Sequence, residues 1–275
     1  MNKLNATKRA QIVAALVEGN SINATVRMTG AAKHTVLKLL ADLGKVCAEY
    51  QDRAFRNLPC KRIQCDEIWS FCYAKEKNVP EEYKGQFGFG DVWTWTALCA
   101  DTKLVPCWLI GGRNAQYASK FMSDLAGRLA NRVQLTTDGH KAYLDAVFDA
   151  FGHDIDYAML EKIYSNPPTG AQTRYSPGVC CGAKKKKITG NPEKQQVSTS
   201  YVERQNLTMR MSMRRFTRLT NGFSKKVQNL EHAVAIHFMN YNFARIHKTL
   251  RVTPAMEAGI AAHVWSLEEI VGLLN

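Results

Sequence analysis

The first fifty residues place apolar side chains at helical spacing and predict three short helices. Apolar positions recur every three to four residues between Ile12 and Val17, and Thr7 is suited to cap the helix that carries them. Ser21 is suited to cap a second helix that ends at a turn formed by Thr29-Gly30. A third helix is predicted from about Ala31 to Leu43.

The third predicted helix has an apolar stripe on one side and a polar, basic face near its start. The exposed residues at that start are Lys33, His34, Thr35 and Lys38. A helix-turn-helix protein inserts the first residues of its second helix into the major groove, where such side chains contact DNA. The pattern therefore predicts an all-α helix-turn-helix DNA-binding domain over residues 1–44. The alternative is a three-helix bundle that serves packing alone.

Beyond a connecting helix or linker over residues 45–61, the pattern changes to that of a sheet. Arg62–Tyr73 alternates around a central acid, as a strand does, and Val92–Ala100 and Leu104–Ile110 form a hairpin around the turn at Asp101–Lys103. Helices and strands then alternate, with a helix near Tyr117–Leu129, a strand at Val133–Thr137, a helix at Tyr143–Phe151 and a strand near Tyr157–Ile163. This order predicts an α/β fold in which helices flank a mixed sheet.

The remainder of the chain combines an irregular segment with further helices. Residues 165–199 lack periodicity and are rich in Pro, Gly and Lys, which predicts a basic insertion loop that serves as a binding segment. Two helices, Ser200–Arg215 and Ser224–His247, complete a domain predicted over residues 62–248. A tail over residues 249–275 ends with one short helix.

Basic residues outnumber acidic ones by 13 in the chain, and most of this excess lies in one stretch. From Lys184 to Lys226 there are twelve Lys or Arg residues and two acids. Neutralising phosphates with such a stretch releases condensed counterions, so the charge favours a polyanionic partner, in particular double-stranded DNA. The run Lys184, Lys185, Lys186 and Lys187 is a candidate for contacts to the DNA backbone, with a solvated loop as an equal alternative.

Neither the cysteines nor the apolar runs indicate an extracellular or membrane protein. The eight cysteines include no Cys-x-x-Cys pair, and no disulfide framework is evident. The longest apolar stretches are interrupted by charges and are too short to span a bilayer. With no signal peptide evident, these features predict a cytoplasmic protein without a membrane partner.

Three acids stand at positions where a sheet can bring them together. Asp66 lies among apolar neighbours in the first strand, where a carboxylate is costly unless a cation or hydrogen-bond donors compensate it. Asp138 directly follows the strand Val133–Thr137, at the carboxyl end where open α/β sheets bind ligands. Glu203 lies on the helix after the loop. Such acids can hold a pair of Mg²⁺ ions, which prefer hard oxygen ligands and promote in-line phosphoryl displacement.

Spacing alone leaves this set open to rivals, because acids are common. The competing acids are Glu67, Asp91, Asp101, Glu193 and Glu231. Glu67 is expected to face away from Asp66, since successive residues of a strand point to opposite faces. The helix of Glu203 favours the first set, because Asn206 and Arg210 follow it and offer an amide and a guanidinium on the same side.

Several segments resemble the DDE transposases of bacterial insertion sequences, and the insertion-sequence-one family in particular. The segments CDEIWSF, TTDGHKAY and YVERQNLTMRMSMRRFTRLTNGFSK resemble the catalytic segments of these proteins, and NYNFARIHKTLRVTPAMEAGI resembles their C-terminal pattern. The resemblance covers most of Lys61–Ile260. The chain departs from the family in a longer gap between the second and third acids and in the lack of a zinc-ligand cluster near the N-terminus.

The resemblance implies a ribonuclease H-like catalytic domain and a set of site residues. Asp66, Asp138 and Glu203 match the metal-binding catalytic acids, which implies two Mg²⁺ ions, with Mn²⁺ able to substitute. Arg210 matches the basic residue that holds the transposon end. The family also implies a homo-oligomer, a dimer or larger, that pairs two element ends on DNA in the bacterial nucleoid.

The sequence therefore predicts a DNA transposase that binds element ends, cleaves them and joins the freed 3′-hydroxyls to target DNA. Asn206 and Arg214 are further predicted DNA contacts near Glu203. Two alternatives stay open: a nuclease of the same fold without strand transfer, and a DNA-binding regulator whose catalytic domain is inactive. Retention of all three acids argues against the regulator.

Overall fold

The structure, a computed structural model, describes residues 4–165 and 180–275. Its helices are α1 (Ala6–Val17), α2 (Ile22–Thr29), α3 (Lys33–Ala54), α4 (Ala115–Ala126), α5 (Ala142–Phe151), α6 (Ser200–Ser212), α7 (Val227–Met239), α8 (Pro254–Glu257) and α9 (Leu267–Gly272). Its strands are β1 (Arg62–Cys72), β2 (Gly90–Cys99), β3 (Trp108–Gly111), β4 (Gln134–Asp138), β5 (Asp156–Tyr164) and β6 (Cys180–Thr189). Over these two ranges, no helix combines the length and the apolar character that crossing a membrane requires.

A six-stranded mixed sheet forms the centre of the molecule, in the order β3-β2-β1-β4-β5-β6. The strands β1, β2 and β3 are antiparallel, β4 and β5 run parallel to β1, and β6 is antiparallel to β5. Tyr143 of α5 reaches Glu67 on one face, and Asn206 of α6 reaches Asp66 on the other. The predicted α/β class is confirmed, and the strand order fits a ribonuclease H-like fold.

The first two helices form as the sequence predicts, apart from one cap. The side chain of Asn5, and not that of Thr7, accepts a backbone N–H and caps α1, because the helix begins two residues earlier than predicted. Ser21 caps α2 by accepting a backbone N–H at 3.1 Å. Gly30 ends that helix at a φ of +69°, a left-handed conformation that glycine adopts without strain.

The third helix continues to Ala54, past the end predicted near Leu43. Cys47 and Gln51 are buried in this second half, and Gln51 donates a hydrogen bond to the carbonyl of Ala235 on α7 at 3.0 Å. The extension is stabilised by a helix far along the chain, which local periodicity cannot reveal. The helix α3 has no break at residue 44. One hydrophobic cluster also joins α1 and α3 to the sheet and to α7.

The helices α3 and α7 pack closely at Gly44. A Cβ atom at this position would lie 2.4 Å from the Cβ and 2.5 Å from the Cα of His232. Any side chain would therefore collide with the backbone of α7, and only glycine permits this packing. The contact holds α3 against α7.

The prediction of a loop over residues 165–199 is wrong for Cys180–Thr189, which form β6. Residues 166–179 of that loop lie outside the described residues. The strand β6 pairs with β5 at the edge of the sheet, and most of its side chains are exposed. An edge strand without a buried face has no period-two apolar pattern, so its sequence carries no strand signal.

Other elements differ from the prediction in length. The strand β3 covers only the end of the predicted run Leu104–Ile110, because the Asn242 side chain both accepts from and donates to the backbone of Val105, at 3.0 and 3.1 Å. The helix α6 ends three residues early, since Met213 is extended. The helix α7 passes into a π-helical turn at Asn240–Ala244, and the tail contains two short helices, α8 and α9, instead of one.

Candidate metal centre

The three predicted acids line one cavity of about 700 Å³. Asp66 lies in the middle of β1, and Asp138 is the last residue of β4. Cys65 is paired with Thr137 in the parallel register, so Asp66 and Asp138 are neighbours across the two strands. Glu203 lines the same cavity from the first turn of α6. The fold thus brings together three acids that are far apart in the chain.

The tightest group of carboxylates includes a residue that was predicted only as a competitor. Ligand oxygens of Asp66, Glu67 and Asp138 all lie within 4.8 Å of one another. Glu203 stands beside this group, where its Oε2 pairs with Nζ of Lys162 at 2.5 Å and its Oε1 accepts a hydrogen bond from Thr199. The ammonium group of Lys162 therefore neutralises Glu203 at the rim of the acid cluster.

The carboxylate of Asp66 is held by two donors in a buried position. The side-chain amide of Asn206 donates to Oδ2 at 2.8 Å, and the backbone N–H of Glu67 donates to Oδ1 at 2.9 Å. Burial, followed by the negative charge of Asp138, raises the pKa of Asp66 to about 7. A bound divalent cation would offset this repulsion, and carboxylate oxygens are the ligands that Mg²⁺ and Mn²⁺ prefer. The residues present therefore fit a divalent metal ion.

Glu67 and Arg113 support the acids from the opposite face of the sheet. Glu67 faces away from the Asn206 side as predicted, and its side chain is 0% exposed. Tyr143 donates its hydroxyl hydrogen to Glu67, and Arg113 donates Nε–H to it at 3.0 Å. The same guanidinium donates to Oδ2 of Asp138 at 3.4 Å. Burial, followed by the charge of Asp138, raises the pKa of Glu67 to about 7.

The roles of Arg113 and Lys162 were not predicted from the sequence. A weak signal for Arg113 was present, because it follows the pair Gly111-Gly112 at the end of β3. A Cβ at Gly111 would lie 1.9 Å from the ring of Tyr117, so only glycine permits the close packing of α4 on the end of β3. Lys162 carried no signal, since its ion pair with Glu203 depends on how β5 and α6 meet in the tertiary fold.

Replacing Arg113 with Gln is expected to weaken the binding of Mn²⁺ at the acids by about 10- to 100-fold, because Asp138 and Glu67 lose the guanidinium that orients them. Titration calorimetry with Mn²⁺ would measure the effect. Arg132→Gln is the matched control, since Arg132 forms ion pairs with Asp154 and Asp156 at the surface. Equal losses in the two variants would show that Arg113 has no specific role in the site.

The predicted DNA contacts on α6 point to different places. Asn206 is buried against Asp66, as described above. Arg210 lines a separate groove together with Trp69, and Arg214 lines a small cavity toward α1. The structure therefore brings Asn206 to the acids, places Arg210 beside them and separates Arg214 from them.

The predicted contacts at the start of α3 are accessible. Lys33, His34 and Lys38 are exposed, and Thr35 is half-buried. Lys38 forms an ion pair with Asp42 at 2.7 Å, one turn further along the helix. The exposed start of α3 remains a prediction for DNA binding.

The four lysines 184–187 lie on the edge strand β6 and are exposed. Register places Lys185 opposite Leu160 and Lys184 opposite Glu161, so the lysines point alternately to the two faces of the sheet. Lys185 donates to the carbonyl of Lys194 at 2.9 Å. Lysines on an edge strand also prevent it from pairing with another sheet, so this run has a structural role whether or not it contacts DNA.

No protein-family model and no curated protein matches the chain. Among solved structures, it is similar to the piggyBac transposase in a synaptic complex with hairpin DNA, at 12% identity over 99% of this chain and 71% of that chain, with a TM-score of 0.46. It is also similar to the Mos1 transposase in a paired-end complex with the left transposon end, at 12% identity over 57% of this chain and 60% of that chain, with a TM-score of 0.24. The Mos1 strand transfer complex is similar at 12% identity over 87% of this chain and 76% of that chain, with a TM-score of 0.25.

Proposed function

We propose that this protein is a DNA transposase of the bacterial insertion-sequence DDE type, which cleaves element ends and joins them to target DNA. The observation that carries the proposal is the meeting of Asp66, Asp138 and Glu203 at one cavity on a ribonuclease H-like sheet. The basic character of Lys184–Lys226 supports a DNA substrate, since two of its elements, β6 and α6, lie next to that cavity.

Asp66, Asp138 and Glu203 are the proposed metal ligands. Glu67 supports them from the opposite face of the sheet. Two Mg²⁺ or Mn²⁺ ions bound there would activate a water molecule or a 3′-hydroxyl and stabilise the leaving oxygen of the phosphate. The chain contributes rigid placement of these ligands. Asn206 fixes Asp66 from the α6 side, and Arg113 fixes Asp138 from the other.

The proposed reaction has two displacements at phosphorus. In the first, a water oxygen bonds to the phosphorus at the element end while the P–O3′ bond breaks and the 3′-oxygen leaves as a hydroxyl. In the second, that 3′-hydroxyl attacks a target phosphate and displaces its 3′-oxygen. Lys162 lines the same cavity as Glu203 and would contact a DNA phosphate there.

The proposal extends to the binding of DNA outside the cavity. Lys33, His34, Thr35 and Lys38 at the start of α3 would contact the element end, and the lysines of β6 would contact its backbone. Arg210 would hold the end near the acids. Two protomers, or more, would pair two ends before strand transfer.

The test incubates the full-length protein with duplexes that carry candidate element ends, in Mg²⁺, Mn²⁺ or EDTA, and maps the products by sequencing. We expect cuts at the ends with either metal ion and none with EDTA. Pre-cleaved ends with a target plasmid separate the alternatives: joined products support a transposase, whereas cutting without joining supports a nuclease. Binding without any metal-dependent product would support a regulator and contradict the proposal.

A further inference from the structure

A second groove lies beside the C-terminal half of β1. It is separate from the cavity lined by Asp66, Asp138 and Glu203, which we call the carboxylate cavity. It has a volume of about 400 Å³ and is lined in part by Trp69, Phe71, Phe223, Arg210, Arg215 and Arg218. We call the groove that these six residues line the aromatic groove. Among the described residues that line it, four are basic and none is acidic. An aromatic surface with excess positive charge is complementary to a nucleotide, which has a flat base and an anionic phosphate.

The aromatic groove lies along the part of β1 that does not pair with β4. The two strands pair only over Arg62–Cys65 of β1, and Asp66 follows directly. Further along β1, the chain near Ser224 takes the place of β4, and Tyr73 donates its N–H to the carbonyl of Ser224 at 2.9 Å. Trp69 lies three residues beyond Asp66 and points to the opposite face of the sheet, but the groove reaches the α6 side of the acids through Arg210. A DNA strand that leaves the acids along α6 would enter the groove.

The rings of the groove form a continuous platform. The ring centroids of Phe71 and Phe223 are 4.8 Å apart, and those of Trp69 and Phe71 are 5.7 Å apart. All three side chains are half-buried, so part of each ring is accessible. Arg215 is fixed by a hydrogen bond from Nε to the hydroxyl of Ser224 at 2.7 Å. Such a platform can stack on any base, because every base has a π-face.

Leu219 lines this groove, is exposed and has an uncommon backbone conformation. It is 85% exposed, the highest value among the large hydrophobic residues that the structure describes, and its φ is +58°, a conformation that L residues rarely adopt. The loop around it is tightly built, since a Cβ at Gly222 would lie 2.3 Å from the carbonyl oxygen of Arg214. An apolar side chain held in solvent by an ordered loop has no role in the packing of this chain. Leucine is one of the residues that proteins insert between base steps.

We propose that the aromatic groove binds an unpaired nucleotide of the DNA strand that enters the carboxylate cavity, and that Leu219 inserts into the base stack where this nucleotide leaves the duplex. The inference rests on the proposed function in taking DNA as the ligand. It adds that the protein separates the strands next to the cut. Leu219 opens the stack, the rings replace the lost stacking, and the arginines neutralise the phosphates.

The test measures the affinity of the full-length protein for two DNA molecules of equal length in EDTA, where no cleavage occurs. One is a blunt duplex, and the other has three unpaired nucleotides at one end, with 2-aminopurine as the first of them. We expect about tenfold tighter binding of the forked DNA at the same salt concentration, together with quenching of 2-aminopurine by stacking.

Substitutions in the aromatic groove test which residues produce the preference for forked DNA. Trp69→Ala and Leu219→Asn should abolish the preference for forked DNA, whereas Trp69→Phe keeps a ring and should retain it. Asparagine tolerates the left-handed conformation, so Leu219→Asn leaves the loop intact. Phe148→Ala is the matched control, because Phe148 is an exposed aromatic residue on α5, 56% accessible and outside the groove. Melting temperatures would verify that each variant is folded.

The outcomes separate this inference from the proposed function. Equal affinity of the unaltered protein for blunt and forked DNA, or an unchanged preference in Trp69→Ala and Leu219→Asn, would overturn the inference even if Mg²⁺-dependent cleavage is observed. A preference for forked DNA that depends on the groove would support the inference even if no cleavage is found with Mg²⁺ or Mn²⁺.

Discussion

Replacing Asp66 with Asn is expected to lower metal-dependent DNA cleavage by at least about a thousandfold. The substitution keeps the size of the side chain and one oxygen to accept from Asn206, but it removes the charge at the centre of the acid cluster. Without that charge the remaining acids hold cations less tightly. Glu203→Gln should have an effect of the same order, whereas Asp149→Asn, at an exposed acid on α5, should have none.

The stability of the Asp66→Asn variant distinguishes a catalytic loss from misfolding. Burial and the charge of Asp138 raise the pKa of Asp66 from 3.8 to about 7 in the folded protein. Between about pH 4 and pH 7 the folded form therefore keeps a proton that the unfolded form has released, and this group makes stability fall as pH rises. In EDTA at pH 8, the variant should melt no lower than the unaltered protein. A variant that melts normally and still cleaves DNA would contradict the assignment of Asp66.

Replacing Gly44 with Ala is expected to destabilise the protein by about 2–3 kcal/mol, and Val should have a larger effect. Alanine would gain about 1 kcal/mol of helix propensity at this position. The collision outweighs this gain, because the added Cβ would lie 2.4 Å from a side-chain atom and 2.5 Å from the backbone of His232. The helices α3 and α7 would have to separate, and the buried residues between them would lose contacts.

The free energy of unfolding, measured by urea denaturation, would test this expectation. Gly272→Ala in α9 is the matched control, since a Cβ there meets no atom within 4 Å and the backbone does not have a positive φ. That control should be neutral or slightly stabilising. If Gly44→Ala were as stable as Gly272→Ala, the close packing of α3 on α7 would be refuted.

The sheet and the three acids could be predicted because each depends on short, regular signals. Alternation around Asp66 marked β1, and the apolar run before Asp138 marked the strand β4 that ends at the site. Glu203 was a candidate because it lies on the helix after the loop, and the resemblance to a known family favoured this set of acids over its competitors. The structure places all three at one cavity, although their roles in catalysis remain a proposal.

The supporting residues could not be predicted, since their partners are set by the tertiary fold. Glu67 was expected to face away from Asp66, and it does, yet its hydrogen bond from Tyr143 and ion pair with Arg113 depend on how α5 and the end of β3 approach β1. The strand β6 was missed because exposed lysines on an edge strand have no apolar period. The second half of α3 was predicted only as part of a connecting helix or linker, and its continuity with the first half was missed because its buried side contains polar residues such as Gln51.

Under the proposed function, the continuity of α3 also restricts the DNA that the protein can process. The helix has 22 residues and is about 33 Å long, and its second half is packed against α7, so its exposed start cannot pivot relative to the acids. A bound sequence and the phosphate to be cut must then keep one spacing and one angular relation along the double helix. Inserting about five base pairs between them would turn the phosphate to the far side of the duplex, since one turn takes 10–10.5 base pairs.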